Sequence, residues 1–163
     1  LVLLSRGMGA YQTGILFAAQ TLIIAVTKPS FGRISDQVDK RVQIVIGLFV
    51  LGCSVAAIPF ASAFTAFLLI SSLLALGMSL STVATSAYVA DVAQKEQMGA
   101  SMGALSSIMD IGHSAGPLVT GIVVAAAGFG PGFFVSFLIA VAVCGFFALS
   151  VREPAQRPGS QYN

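Results

Sequence analysis

The sequence predicts an all-α membrane protein of five transmembrane helices, and three observations carry that prediction. The 163 residues are 56% hydrophobic and only 9% charged, with a mean hydropathy of +0.94. Soluble domains carry about 25% charge, so eight Lys+Arg and six Asp+Glu leave too little polar cover for a water-exposed surface. Disordered chains are poor in apolar residues, so disorder is excluded by the same figures. Apolar runs recur at bilayer length, and basic residues gather at alternate ends of those runs. The net charge of +2 is small and scattered, which argues against a nucleic-acid partner. Cys53 and Cys144 lie inside apolar runs and read as packing residues; with a single histidine they give no metal-ligand set, and no cofactor is called for.

A bilayer core of roughly 30 Å needs about 20 apolar residues per helix. On that measure the spans fall near 10–30, 42–60, 64–90, 100–127 and 133–150. Continuous runs such as 44–51 favour helices over the alternation of a transmembrane barrel. The chain begins at Leu1 with no signal-peptide pattern, and an odd number of spans reads as part of a longer protein. Lys28, Arg33, Lys40 and Arg41 surround the connection between spans one and two. Lys95 lies between spans three and four, and Arg152 and Arg157 follow span five. Only Arg6 falls on the opposite side, and this bias places the C-terminus in the cytoplasm of a multi-pass protein of the cell membrane. Residues 1–151 form the membrane unit, and 152–163 a polar, proline-punctuated cytoplasmic tail.

The spans differ in polarity. Spans two and five are nearly all lipid-like and can face hydrocarbon on most sides. On span three, Ser71, Ser72, Ser79, Thr82, Thr85 and Ser86 cluster on one side at 100° per residue. Such a stripe is expected to line a cavity or a helix interface, although each hydroxyl alone is able to bond back to its own helix. Span four carries the ionisable residues deep in an apolar segment, Asp110 and His113. Gly103, Ser106, Pro117 and Gly121 share their side, and Gly112 and Gly116 form a GxxxG step on the flank. Two readings stand: a protonatable helix, bent at Pro117, along a pathway, or an Asp–His pair that fixes packing.

Gly32-Arg33-Ile34-Ser35-Asp36-Gln37-Val38-Asp39-Lys40-Arg41 resembles the cytoplasmic "motif A" loop of major facilitator superfamily transporters. Gly32, Asp36, Lys40 and Arg41 match; Gln37 and Asp39 depart from the usual arginine and glycine. Gly103, Gly112, Gly116-Pro117 and Gly121 resemble the family's "motif C", associated with antiporters, with Thr120 in place of a usual glycine. The resemblance covers essentially all five spans and implies the second to sixth helices of one six-helix half-bundle. The degenerate motif A and polar ending favour the C-terminal half, and the fuller motif C the N-terminal one; the balance leans to the C-terminal half.

The resemblance implies secondary active transport of a small molecule by alternating access against a missing second half, with the bilayer as the chain's other partner. It assigns a gate to Gly32, Arg33, Asp36, Lys40 and Arg41, and packing between halves to the motif C glycines and Pro117. Asp110, with His113, is the candidate for proton exchange, giving proton-coupled efflux of the multidrug type. An uptake permease for sugars or organic acids is the alternative within the family. Outside it stand an intramembrane serine hydrolase using Ser79 and His113, and a scaffold that does not transport. No enzymatic activity is expected.

Overall fold

The computed structural model describes residues 9–35 and 37–150. Asp36, Arg6, Arg152, Arg157 and the tail at 152–163 lie outside the described residues. The described residues form five α-helices: α1 Ala10–Ser35, α2 Lys40–Ala57, α3 Phe64–Val92, α4 Met98–Ala127 and α5 Phe129–Ser150. Each is long and apolar enough to cross a membrane once its flanking turn is counted, so the chain is the all-α, five-span protein that its composition predicts.

Local chemistry sets the breaks. Asp39 caps α2, its side chain accepting the Arg41 backbone N–H. After Ala57 a single 3₁₀ turn, Ile58–Phe60, carries Pro59 and leads through Ala61 into α3. A second, Lys95–Gln97, leads into α4. Gly128 alone separates α4 from α5, and it does so at φ 88°, a conformation that glycine adopts without a Cβ penalty. α1 continues through Pro29, beyond the apolar stretch, to Ser35.

The helices pack as a chain of neighbours. α3 is the hub, in contact with α1 on one side and α2 on another; α2 holds α5, and α5 holds α4. α4 touches α3 only lightly, and none of its residues is buried. The order of packing corrects one expectation from polarity: α2 is not turned to hydrocarbon on most sides but sits between α3 and α5. Its apolar run conceals Gly47, Gly52 and Ser54, all buried. A Cβ on Gly47 would stand 2.7 Å from the Ser81 nitrogen, and one on Gly77 2.9 Å from both the Gly47 carbonyl oxygen and the Leu51 nitrogen. The two backbones therefore touch, as small residues allow where no hydrophobic effect drives helices together.

This contact makes a prediction. Gly77→Ala, which overpacks the α2–α3 crossing by one methyl, lowers thermal stability of the detergent-solubilised protein by about 1–3 kcal/mol. Gly145→Ala on α5, where a Cβ meets no described atom within 4 Å, leaves the melting temperature unchanged.

Candidate functional site

The loop chemistry converges on the basic end of the bundle. Lys40 opens α2, and its Nζ stands 2.7 Å from Asp91 Oδ2 near the end of α3. The Arg41 guanidinium lies over the Tyr88 ring, 5.9 Å from its centre. Tyr88 in turn meets Phe147 of α5 edge to face, with ring centres 6.3 Å apart at 76°. One ion pair and two aromatic contacts thus tie α2, α3 and α5 at the same end. The Lys40 side chain is 22% exposed and that of Asp91 59%, so the pair is a partly screened contact worth about 1 kcal/mol or less. Gln43, one turn along α2, has both polar atoms of its amide buried, and Ser35 its hydroxyl; none finds a hydrogen-bond partner among the described residues. Gly32 is half-buried and Arg33 exposed at the end of α1.

The hydroxyls of α3 divide by partner. Ser79 is fully buried and shares a hydrogen bond with Thr27 of α1 at 2.9 Å; the Thr27 hydroxyl also lies 2.7 Å from the Ile23 carbonyl oxygen. Ser72 donates to the Leu68 carbonyl and Thr82 to that of Met78, each at 2.7 Å. Ser71, Thr85 and Ser86 are half-buried. Ser71 borders a hollow of about 130 Å³ between α1 and α3 with Leu16, Gln20 and Phe67.

α4 differs from every other helix. All residues from Asp110 to Val119 are exposed, including His113, Gly112, Gly116 and Pro117, and so are Gly103 and Gly121. A Cβ on any of the glycines 103, 112, 116 or 121 meets no described atom within 4 Å. The helix meets α5 toward its C-terminal end instead. Thr120 and Ser136 of α5 share a hydrogen bond at 3.3 Å, and Gly132 lies against Val124. Asp110 and His113 therefore stand on an open face, whereas Ser79 is buried with its oxygen engaged by Thr27.

Several of these residues escape a reading of the sequence. Asp91 was legible in principle, as an acid ending an apolar span on the side where Lys40 and Arg41 begin the next one back. Thr27, Tyr88 and Phe147 carry no such sign, since a threonine or an aromatic ring near a helix end is ordinary membrane composition.

Five helices of membrane length, tied at one basic end and bare along α4, define a polytopic membrane protein. The chain belongs to the Major Facilitator Superfamily, whose profile matches residues 2–162. It is 29% identical over 140 residues to an uncharacterized MFS-type transporter of Methanocaldococcus jannaschii, an alignment covering 85% of this chain and 36% of that protein. It is also 28% identical over 150 residues to the staphyloferrin B transporter of Staphylococcus aureus, covering 91% of this chain and 35% of that protein. The chain thus spans about a third of the length of these curated relatives. No solved structure matches it at comparable stringency.

The Lys40–Asp91 pair is open to a direct test. Asp91→Asn and Lys40→Gln each lower thermal stability slightly, and a double-mutant cycle returns a coupling of about 0.2–1 kcal/mol. Exchanging the two residues, Lys40→Asp with Asp91→Lys, restores most of the loss if the contact is electrostatic.

Proposed function

We propose that this chain forms one half of a secondary active transporter that moves a small molecule by alternating access, driven outward by protons. The observation that carries the reading is the state of α4. An aspartate at a helix centre costs about 2.5–3.5 kcal/mol to place in lipid, so such residues face protein or water. Asp110 and His113 flank the midpoint of Met98–Ala127, yet no helix among the described residues covers them. The relatives are about two and a half times as long, which leaves ample chain to supply the missing cover. With the second half seated there, the polar side of α4 borders the interface around which the halves rock. The glycines 103, 112, 116 and 121, open in this chain, then let a facing helix approach closely.

The basic end supplies a latch. The Lys40–Asp91 pair and the Arg41–Tyr88–Phe147 stack hold three helices as one body, while the other half engages Arg33 and Asp36 of the motif A segment. The basic residues mark this end as cytoplasmic. A latch of about 1 kcal/mol per contact biases one state without locking it. The cargo is weakly polar or lipophilic, in keeping with the hydroxyls of α3 and the lack of a cationic side chain along the described spans between the basic ends. Asp110 accepts the coupling proton, with His113 one turn on along the same helix.

Transport of ethidium by the intact protein in everted vesicles tests this reading. An imposed pH gradient drives ethidium accumulation by the wild type, and Asp110→Asn brings it down to the uncoupled background while the protein still inserts and folds. Unchanged accumulation in Asp110→Asn would reduce Asp110 to a packing residue.

A further inference from the structure

Two buried side chains at the basic end serve neither the ion pair nor the aromatic contacts. Ser35, the last residue of α1, is 1% exposed, and Gln43, one turn into α2, is 4% exposed. The Ser35 hydroxyl and both polar atoms of the Gln43 amide are out of reach of water, and they bond to nothing among the described residues. Packing against α3 sets the two at one level. α1 runs parallel to α3: Leu16 clusters with Phe67 and Thr27 bonds Ser79, and the same offset carries Ser35 to Ser86 or Ala87. α2 runs antiparallel to it: Gly47 lies against Ser81 and Lys40 pairs with Asp91, which sets Gln43 beside the stretch from Thr85 to Tyr88. The half-buried Thr85 and Ser86 share that level, while α1 and α2 barely touch each other directly. Of the three walls the end of α1 is the loosest. Its last hydrogen bond to α3 among the described residues is that of Thr27, about two turns before Ser35. Pro29 follows, with no N–H for the Ala25 carbonyl, and proline is where helices bend. Beyond it a Cβ on Gly32 meets no described atom within 4 Å, and Arg33 and Ile34 are exposed. By contrast, the Gly47–Ser81 contact and the Lys40–Asp91 pair fix α2 to α3.

We propose that the segment from Pro29 to Ser35 is a hinged flap at this junction, and that the dry Ser35 and Gln43 side chains bias it toward opening. A buried donor or acceptor without a partner costs its full desolvation, roughly tenfold or more in an equilibrium constant for each group. The closed arrangement carries that cost. Swinging the flap outward about Pro29 lets water reach the hydroxyl and the amide, and the cost is gone. Water is near, because Lys40 and Arg41 lie within a turn of Gln43 and basic residues mark the membrane surface. The surface that opening reveals is itself polar, since Thr85 and Ser86 stand at the same level. An apolar side chain of like shape at 43 removes the cost without any movement, and so holds the flap shut. A glutamine with a buried partner behaves in the opposite way, because its loss strands that partner. Local opening of this kind leaves the α2–α3 body intact. The proposal requires only the packing of α1, α2 and α3, and so stands apart from the transport reading.

Cysteine accessibility in the intact protein reads the flap, with Cys53 and Cys144 replaced by alanine. Ser35→Cys puts a thiol of similar size at a buried position that reagent reaches only when the flap swings, and Glu96→Cys gives an exposed reference. Toward a small charged methanethiosulfonate, the thiol at 35 reacts slowly but to completion, and the one at 96 reacts fast. Adding Gln43→Met slows modification at 35 by about tenfold and leaves that at 96 unchanged. Pro29→Ala, which restores the helix hydrogen bond, slows it as well. Should Gln43→Met fail to fold, Gln43→Leu carries the same expectation. A thiol at 35 that never reacts would overturn the proposal. So would a rate at 35 left unchanged or raised by Pro29→Ala or by a folded apolar variant at 43. Loss of folding in both variants at 43 would also overturn it, by marking Gln43 as a side chain with a partner.

Discussion

A bilayer interior has no water to accept or donate hydrogen bonds, and this single constraint orders the whole molecule. Backbone groups meet it by forming helices. Most hydroxyls meet it locally: Ser54 donates to Val50, Ser72 to Leu68, Thr82 to Met78 and Ser107 to Gly103, each to a carbonyl one turn back. Two pairs also cross between helices, Thr27 with Ser79 and Thr120 with Ser136, and they join α1 to α3 and α4 to α5. Asp110 has no comparable neighbour on another described helix, and it is the residue whose exposure to lipid costs most. Its position is what the proposed second half accounts for.

Close approach supplies what the hydrophobic effect does not. At the centre of the bundle Gly47, Gly77 and Ser81 bring two backbones into contact, and the basic-end cluster fixes the same pair of helices a few turns away. The two attachments differ in kind. The glycine contact is steric, buried and independent of salt, whereas the Lys40–Asp91 pair is partly exposed and screened. Under the proposed alternating access, both would serve an assembly that changes shape. The first keeps α2 and α3 as one body, and the second sits at the rim, where a partner is able to compete for the charges.

The number and length of the helices were plain in the sequence, because a run of about 20 apolar residues has few other uses. The family was legible too, since Gly32, Lys40 and Arg41 with the glycines of α4 fall at characteristic spacings. What stayed hidden was which face of each helix meets which neighbour. In α2 a buried Gly47 and an exposed Phe49 are equally apolar, so polarity pointed to lipid where packing points to α3 and α5. On α3, Ser79 and Thr82 share one stripe, yet one hydroxyl crosses to α1 and the other returns to Met78. Contacts of that kind depend on register between helices, which composition does not record.

The central claim is that the Asp110 side of α4 is covered by the rest of the protein around a wet path, while Ile108, Ile111 and Ile122 face lipid. Single cysteines at Ser106 and Gly121 on the polar side, and at Ile111 and Ile122 on the other, test it in the intact protein with Cys53 and Cys144 replaced by alanine. The account predicts that a membrane-impermeant maleimide modifies the first pair, and that brominated lipid quenches a fluorophore attached only at the second. Quenching by brominated lipid at 106 and 121, with no reaction toward the maleimide, would contradict it.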